Sequence, residues 1–299
     1  MAFLFYLYLI LNMKKILSLV YLMLINLLAI AQVVNSDSLL LINGKWQTQK
    51  YKGKISTKII HFNRCELFKS NQSIQIIEIK PKSKYKFDLA YQTKSLITLD
   101  SFVKIQKAIA GINGTFFDVK NGGSMDFIRS NHQIINANFL YPTGKRAEHQ
   151  KGAILIKEDK LRISNWDGTS DWETLLDAED VMLSGPVLRI NNQDIALANN
   201  AFNADRAPRS LIGIKNDGTV LFICIDGRTI ESEGITIKEE QDLVRWLGCK
   251  DAINLDGGGS STLFLKNATE NGIINHPSDN KIFDHYGQRK IANAILLVK

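Results

Sequence analysis

The sequence has few of the residues that build disulfide frameworks and zinc sites. It contains 3 cysteines and 5 histidines among 299 residues, and neither a CxxC nor an HExxH pattern occurs. The histidines are scattered along the chain, which argues against a zinc site of standard spacing. Cys224 and Cys249 lie in apolar runs typical of buried packing residues, and together with Cys65 they form an odd set that leaves at least one thiol unpaired.

Motifs of nucleotide and ester chemistry are also absent. A P-loop requires a lysine before its final serine or threonine, but Gly259 precedes Ser260. A nucleophile elbow requires G-x-S-x-G, whereas residues 258–262 read GGSST, so Ser260 is not predicted to be an acylating nucleophile. The net charge is +7, yet the basic residues are scattered without interleaved aromatic residues, and no nucleic-acid partner is predicted.

Long hydrophobic runs are confined to the start of the sequence. Residues 1–31 are almost wholly apolar, with Lys14 and Lys15 as the only charges. From Met13 onward, a basic pair, an apolar run and an A-x-A site match a signal peptide. We therefore predict a signal peptide over residues 1–31, with Met13 as an alternative start, and export to the periplasm or the extracellular space. An uncleaved anchor is the alternative, and it is the only membrane contact that the sequence indicates.

The remainder is predicted to be an N-terminal segment at residues 32–55 and a single domain at residues 56–299. Residues 73–80 and 84–91 alternate apolar with polar side chains, which predicts two strands on either side of a turn at residues 81–83. Thr236, with a glutamate three positions later, predicts the capped start of a helix. Strands outnumber helices and hairpins dominate, so we predict an α+β fold with a mostly antiparallel or mixed sheet core and a few packed helices.

Residues 253–265 read INLDGGGSSTLFL, and they are the most informative stretch of the chain. Three consecutive glycines between two apolar runs are costly to order, and they indicate a place where only bare backbone fits. A β-hairpin turn without chemistry is the alternative interpretation. A glycine-rich turn can form an anion-binding concavity, arginine binds phosphate with two hydrogen bonds, and paired carboxylates hydrolyse glycosides. This combination indicates a phosphate-bearing sugar.

Seven short motifs then resemble, in order, those of the phosphodiester glycosidase family, which includes the N-acetylglucosamine-1-phosphodiester uncovering enzyme and bacterial exopolysaccharide-associated proteins. They are NGTFF at 113–117, SGP at 184–186, RSLIG at 209–213, DGR at 226–228, DGGGSST at 256–262, NHPSD at 275–279 and RKIAN at 289–293. The resemblance covers roughly residues 75–299 and implies an exported glycoside hydrolase that cleaves a sugar-1-phosphodiester at the anomeric carbon. The implied partner is a phosphorylated glycan or glycosyl phosphodiester of the cell envelope or of extracellular polysaccharide.

The resemblance also implies roles for individual residues. Asp256 is the leading catalytic carboxylate, acting as nucleophile or as general base on water, and Asp226 and Asp118 compete for the partner role. Arg209, Arg289 and the glycine turn are expected to bind the phosphate, while Asn113 and Thr262 orient the substrate. The full set predicted to bind substrate is Asn113, Arg209, Gly257, Gly258, Gly259, Ser260, Thr262, Arg289 and Asn293. No cofactor is predicted to be required.

Two other functions fit the same residues. In a metal-dependent phosphodiesterase, four carboxylates would ligate calcium or magnesium through oxygen, and activity would be lost on chelation. These carboxylates are those of Asp118, Asp226, Asp256 and Asp279. In a non-catalytic polysaccharide-binding or envelope-assembly module, aromatic side chains would instead line a groove for sugar, with Phe116, Phe117 and Tyr141 as candidates.

Overall fold

The computed structural model describes residues 13–15, 17–18, 36–138 and 145–299. Most of the predicted signal segment and the candidate aromatic Tyr141 therefore lie outside the described residues. Within these ranges, no helix combines the length and the apolar character that crossing a membrane requires.

The described chain is built mainly of β-strands. In chain order they are β1 (Gln47–Tyr51), β2 (Ile55–Leu67), β3 (Ser70–Ile79), β4 (Lys86–Tyr91), β5 (Ala110–Asn113), β6 (Ile128–Ser130), β7 (Gln133–Asn136), β8 (Gly152–Lys157), β9 (Lys160–Asn165), β10 (Asp180–Ser184), β11 (Val187–Ile190), β12 (Gln193–Asp194), β13 (Arg209–Lys215), β14 (Val220–Ile225), β15 (Cys249–Asn254), β16 (Leu263–Leu265) and β17 (Asn293–Val298). The helices are α1 (Ser36–Ile42), α2 (Leu99–Gln106), α3 (Trp172–Leu175), α4 (Ala201–Ala204) and α5 (Ile237–Trp246), with 3-10 turns at Glu148–Gln150 and Gly258–Ser260.

These strands form three sheets. The first has eight strands in the order β1-β2-β3-β14-β13-β15-β11-β12, the second has five in the order β7-β6-β10-β8-β9, and the third has four in the order β16-β5-β17-β4. All of the strand pairings among the described residues are antiparallel. The prediction of an α+β fold with a mostly antiparallel core and a few helices is therefore confirmed.

The three sheets share one hydrophobic core, to which Phe222, Ile295 and Ile154 contribute from the eight-, four- and five-stranded sheets. Strand β14 explains how both faces of the largest sheet are buried. Alternate side chains point to opposite faces of a strand, so Phe222 enters the shared core while Leu221 enters a second core beneath α5. Helix α5 begins at the predicted capping box, in which Thr236 Oγ1 accepts from the N–H of Glu239 at 3.1 Å.

The strand register places the ends of several strands together. Across β13 and β14, Arg209 lies opposite Ile225 at one end, and Ile214 lies opposite Val220 at the other. At the first end, β5 terminates in Asn113 and β17 begins at Asn293. We call this the glycine-turn end, because the triple glycine follows β15 here. Most of the predicted site residues follow or precede strands at this end.

The N-terminal segment contains regular secondary structure. Residues 32–55 include α1 and strand β1, and β1 pairs along its whole length with β2 from Gln47 opposite Ile59 to Tyr51 opposite Ile55. The sheet therefore begins within this segment rather than after it. The sequence QTQKY does not indicate a strand, because its side chains show no apolar alternation. They are mostly exposed on an edge strand. The three cysteines are all free thiols.

Candidate active site

Asn113 ties the glycine turn to the sheets. Its side-chain oxygen accepts from Ser210 Oγ at 2.7 Å and from the Thr262 N–H at 3.1 Å, and its amide nitrogen donates to the Asp256 carbonyl at 2.7 Å. The side chain is 1% exposed. The sequence predicts that Asn113 contacts substrate. In the structure, two of these bonds hold the backbone on both sides of the turn, and the third joins Asn113 to the Ser210 side chain of β13.

Asn293 and Thr262 have similar supporting positions. Asn293 is buried, and its side-chain oxygen accepts from the Thr115 N–H at 2.6 Å. The Thr262 hydroxyl donates to the Ser260 carbonyl at 3.1 Å. Both were candidates for substrate contact, but their hydrogen bonds run to the protein backbone. The Thr262 hydroxyl thus supports the turn, and the Asn293 side chain supports the backbone at Thr115.

The triple glycine is explained by what approaches it. A side chain on Gly259 would overlap the Asp279 carboxylate and the Arg289 guanidinium. Gly258 has a φ of +62°, a left-handed conformation that favours glycine. The prediction that only bare backbone fits here is therefore explained by protein groups, namely an arginine–carboxylate pair seated directly on the turn.

This pair is bidentate. Arg289 Nε donates to Asp279 Oδ2 at 2.9 Å, and Arg289 Nη2 donates to Asp279 Oδ1 at 2.7 Å. Each side chain is about one-third exposed, so the guanidinium also faces solvent. The planar fork that binds one carboxylate leaves further N–H groups for a second anion. Arg289 is thus fixed in orientation beside the turn.

Two basic groups act on the Asp256 carboxyl. Burial raises the pKa of the Asp256 carboxyl to about 6, while the Ser260 hydroxyl, the Arg289 guanidinium and His149 act in the opposite direction on that pKa. Its backbone is held by the bond from the Asp256 N–H to the Gly114 carbonyl at 3.1 Å. A carboxyl that titrates near neutral pH, within the field of a cation and a histidine, suits proton transfer or nucleophilic attack.

His149 is a functional candidate that the sequence did not indicate. Its Nδ1 lies 2.8 Å from the Asp126 carboxylate, and Asp126 is fully buried. Gln150 Nε2 donates to the other oxygen of the same carboxylate at 3.2 Å. A buried carboxylate of this kind orients an imidazole and leaves Nε2 available for substrate or water. The two residues are 23 positions apart, so no local motif marks them.

A small aromatic cavity borders His149. Its volume is about 260 Å³, and its walls are Phe116, Glu148, His149, Gly185, Pro186, Asn200 and Phe202. The Phe116 ring centre is 4.7 Å from that of His149 and 6.0 Å from that of Phe202. The cavity is adjacent to the strand that leads to Asp256, because the Asn254 N–H donates to the Pro186 carbonyl at 3.0 Å. We call it the aromatic cavity.

Asp226 is surrounded by protein donors. Its Oδ2 accepts from Ser73 Oγ and Gln75 Nε2, each at 2.8 Å, and lies 2.7 Å from His276 Nδ1. Its Oδ1 accepts from the His276 N–H at 2.8 Å. The side chain is 1% exposed. The sequence predicts Asp226 as a catalytic partner, but this arrangement makes it an anchor for His276.

Asp118 is engaged within its own loop. Its Oδ1 accepts from the N–H groups of Lys120 and Asn121 at 2.8 and 2.9 Å, and its Oδ2 accepts from Asn121 Nδ2 at 2.7 Å. These hydrogen bonds lower the pKa of the Asp118 carboxyl below its usual value. Asp118 therefore shapes this loop, and the structure offers no contact that supports its predicted role as a catalytic partner.

Arg209 also differs from its prediction as a phosphate ligand. It is 2% exposed, and its Nε donates to the Ile235 carbonyl at 3.2 Å. Its Nη2 donates to the carbonyls of Phe202 and Asp205 at 2.8 and 2.9 Å. The guanidinium also lies 4.7 Å from the centre of the Phe202 ring. Arg209 thus holds the loop that carries one wall of the aromatic cavity.

Arg228 takes the position beside the turn that was expected of Arg209. A side chain on Gly258 would lie 2.9 Å from Arg228 Nη2, so this guanidinium lies against the bare turn. Arg228 is exposed, and within the part of the chain that the structure describes it makes no side-chain hydrogen bond or ion pair. In the sequence, Arg228 is the third residue of the DGR motif, which by itself indicates little about function. Arg228 and Arg289 therefore flank the turn.

Metal binding has limited support from the positions of the carboxylates. No group of three or more histidine, cysteine, aspartate or glutamate side chains converges on a point that could hold a metal ion among the described residues. Asp118, Asp226 and Asp279 each have separate protein partners, as described above.

Comparisons with known proteins identify the family to which the chain belongs. A family model described as phosphodiester glycosidase matches residues 106–298. The SPbeta prophage-derived uncharacterized protein YomE of Bacillus subtilis (strain 168) is 44% identical over 72 residues, which are 24% of this chain and 11% of that protein. The N-acetylglucosamine-1-phosphodiester alpha-N-acetylglucosaminidase of Mus musculus is 25% identical over 185 residues, which are 56% of this chain and 33% of that protein.

The chain thus spans about a third or less of the length of these curated relatives. A solved structure is similar over a larger share of the chain. The zebrafish N-acetylglucosamine-1-phosphodiester alpha-N-acetylglucosaminidase catalytic domain, auto-inhibited by its pro-peptide, matches 85% of this chain and 88% of its own, with a TM-score of 0.64 and 16% identity. At that identity the likeness is one of fold.

Proposed function

The chain belongs to the phosphodiester glycosidase family, and from this premise we propose that it hydrolyses a sugar-1-phosphodiester at the anomeric carbon. The observation that carries the proposal is the position of Asp256. Asp256 directly precedes the glycine turn on which the Arg289–Asp279 pair lies. Burial raises the pKa of its carboxyl to about 6, and Arg289 and His149 act on that pKa in the opposite direction. A substrate whose phosphate lies near Arg289 and whose sugar lies near His149 would place its anomeric carbon close to Asp256.

The phosphate would bind on the side of the two arginines. Arg228 and Arg289 lie against Gly258 and Gly259 respectively, and guanidinium groups bind phosphate oxygens through charge-assisted hydrogen bonds. Arg289 is held in orientation by Asp279, so little conformational entropy is lost when it binds an anion. This assignment replaces Arg209 with Arg228 and retains Arg289.

The sugar would enter the aromatic cavity. Phe116 and Phe202 present ring faces that suit the apolar face of a pyranose, and Asn200 and His149 provide polar atoms at the wall. The volume of about 260 Å³ is suited to one small ring rather than to a polymer. A terminal sugar is therefore the group that we propose is released, with N-acetylglucosamine as the first candidate.

The chemistry needs less acid assistance than ordinary glycoside hydrolysis does. A phosphate has a second pKa near 6 and is a good leaving group, so the main requirements are to hold the anion and to supply a nucleophile or base. We propose that ionised Asp256 attacks the anomeric carbon or takes a proton from the attacking water. The bond from the anomeric carbon to oxygen breaks, and its electron pair leaves with the phosphate. Where Asp256 is the nucleophile, water then hydrolyses the glycosyl ester, which releases the sugar and restores the carboxylate. His149, oriented by Asp126, is the proposed second proton-transfer group.

The test is to incubate the protein with UDP-N-acetylglucosamine and other nucleotide sugars and to identify the products. A phosphodiester glycosidase releases free sugar and the intact nucleoside diphosphate. A phosphodiesterase would instead release sugar 1-phosphate, and a non-catalytic binding module would release neither. Free sugar that appears in the presence of EDTA would support our further proposal that no divalent cation is required. Loss of activity that calcium or magnesium restores would favour the metal-dependent alternative.

The pH dependence of turnover follows from the pKa of Asp256. Because burial raises this pKa to about 6, the carboxyl becomes ionised as the pH rises through that value. We expect kcat to increase with pH through about 6, since a nucleophile or base must be ionised. A kcat that instead decreases through the same value would assign Asp256 as a general acid. The raised pKa of Asp256 also affects folding stability. The folded protein favours protonated Asp256, so the stability that this proton contributes is lost as the pH rises through about 6.

We also propose that the protein is exported, to the periplasm or the extracellular space, and acts on envelope or extracellular glycans. Support comes from the signal-peptide pattern at the start of the sequence. Cell fractionation with the full chain tests this, and recovery in the cytoplasm alone would contradict it.

A further inference from the structure

A second, larger cavity lies at the opposite end of the strands. Its volume is about 630 Å³, within the range of small-molecule sites, and it is walled by the turn after β3, the turn between β8 and β9, and the turn between β13 and β14. Strand β13 connects the two ends, with Arg209 at the glycine-turn end and residues 214–218 at the cavity. Six residue steps at about 3.3 Å separate the ends by roughly 20 Å. We call this cavity the lysine cavity.

The floor of the lysine cavity is apolar and ordered by packing. Tyr85 and Phe87 are half-buried, and Leu161 and Val220 lie beneath them. The Phe87 ring packs edge-on against Phe222 at 6.0 Å. A side chain on Gly53 would overlap the Tyr85 ring, which shows how closely the backbone supports this ring. Two aromatic side chains thus line the floor of the cavity.

The rim carries seven cationic and three acidic side chains. The cationic residues are Lys80, Lys82, Lys84, Lys86, Lys160, Arg162 and Lys250, and the acidic ones are Glu158, Asp159 and Asp217. Lys86 pairs with Asp159 at 2.9 Å, and Lys250 lies 3.6 Å from Asp251. The other five cations make no ion pair with any residue that the structure describes, and the Lys84 ammonium lies 5.1 Å above the Tyr85 ring.

We propose that the lysine cavity is a second binding site, whose ligand is an anionic saccharide. Unpaired ammonium and guanidinium groups on the rim would meet phosphate, sulfate or carboxylate groups, and the aromatic floor would stack on the apolar faces of sugar rings. An uncharged saccharide would leave the excess of positive charge without a partner. A membrane surface would meet the rim but would not enter a concave floor between three turns.

The site is independent of the proposed hydrolysis, because the two cavities share no wall and face opposite ends of the strands. It would hold a charged part of a glycan chain roughly 20 Å from the glycine turn, or a separate acidic saccharide. The surface lysines of the turns would then be recognition residues rather than a merely solvated face.

The experiment measures binding of a fluorescently labelled short sulfated dextran, with uncharged dextran of the same length and anionic phospholipid vesicles as the other probes. The variant is Lys84→Glu/Lys160→Glu, and the matched control is Lys45→Glu/Lys266→Glu, which reverses two exposed lysines outside the cavity. Tyr85→Leu changes the floor without changing the charge. Hydrolysis of a small nucleotide sugar is measured on all three variants.

We expect the sulfated dextran to bind and the uncharged dextran not to bind. The cavity variant should lose at least about tenfold in affinity, because charge-assisted hydrogen bonds are lost, while the control should change by less than about threefold. Tyr85→Leu should also weaken binding, and a cooperative thermal transition would show that this variant remains folded. Equal losses in cavity and control variants, full binding by Tyr85→Leu, or binding to vesicles alone would each overturn the proposal. Hydrolysis of the small substrate should be unaffected, whether or not the binding result holds.

Discussion

Replacing Asp256 with asparagine is expected to reduce the release of sugar by at least about a hundredfold, because a positioned acid–base group contributes that much or more. The substitution removes ionisation and keeps the size of the side chain. The backbone at this position is held by the Gly114 carbonyl and by Asn113, so the turn should keep its geometry. The loss should therefore appear in kcat, with KM changed little, when initial rates are measured on a nucleotide sugar.

Asp118→Asn is the matched control for this experiment. It makes the same chemical change at a carboxylate whose bonds run to its own loop, and we expect its turnover to stay within about threefold of that of the wild type. The pH profile provides a second check, since the rise of kcat through about pH 6 should vanish in Asp256→Asn. Turnover of Asp256→Asn within about tenfold of the wild-type value would show that this carboxylate is not catalytic.

His149 gives a way to divide the proposed proton transfers. His149→Gln retains a hydrogen-bonding side chain but cannot accept a proton at neutral pH. If His149 donates a proton to the leaving phosphate, the decrease in rate caused by His149→Gln should be smaller for a substrate whose leaving phosphate is more acidic. The decrease in rate caused by Asp256→Asn should be the same for all substrates. This contrast distinguishes two roles that the static geometry places side by side.

Local features of the fold could be predicted from the sequence where one stretch determines the outcome. The Thr236 capping box and the two strands on either side of Pro81 depend on neighbours within a few positions, and both features are present. These two strands, β3 and β4, lie in different sheets, which the local pattern does not reveal. Strand β1 could not be recognised, because its polar residues gain their place only through backbone hydrogen bonds to β2. An edge strand of this kind has no apolar pattern to detect.

In the candidate site too, some features follow from neighbouring residues, and others depend on residues that only the fold brings together. The triple glycine indicates a close approach to bare backbone, but the identity of the approaching group depends on residues 279 and 289, which come later in the chain. Arg209 and Arg228 are the same residue type in similar motifs. Which of them faces the turn is decided by three carbonyls that the fold brings around Arg209. The pairing of His149 with Asp126 likewise exists only in the folded chain.

Gly259→Ala is the substitution that tests the turn itself. The added methyl group would overlap Asp279 and Arg289, so the ion pair must move away from the turn. Overpacking of this kind costs about 1–3 kcal/mol in the free energy of unfolding. Displacing one charge-assisted anion contact costs a further ~1.5–3 kcal/mol in binding, which corresponds to roughly a 10- to 100-fold lower kcat/KM.

Gly248→Ala separates these two effects. Gly248 has a φ of +78°, so alanine there is strained and should lower stability, but its side chain would meet nothing and lies at the end of α5 away from the turn. We expect Gly248→Ala to melt at a lower temperature with unchanged kcat/KM, and Gly259→Ala to lose both stability and kcat/KM, mainly through KM. If Gly259→Ala kept wild-type kinetics, the Arg289 pair on the turn would have no part in holding the phosphate, and the anion would have to bind through Arg228 alone.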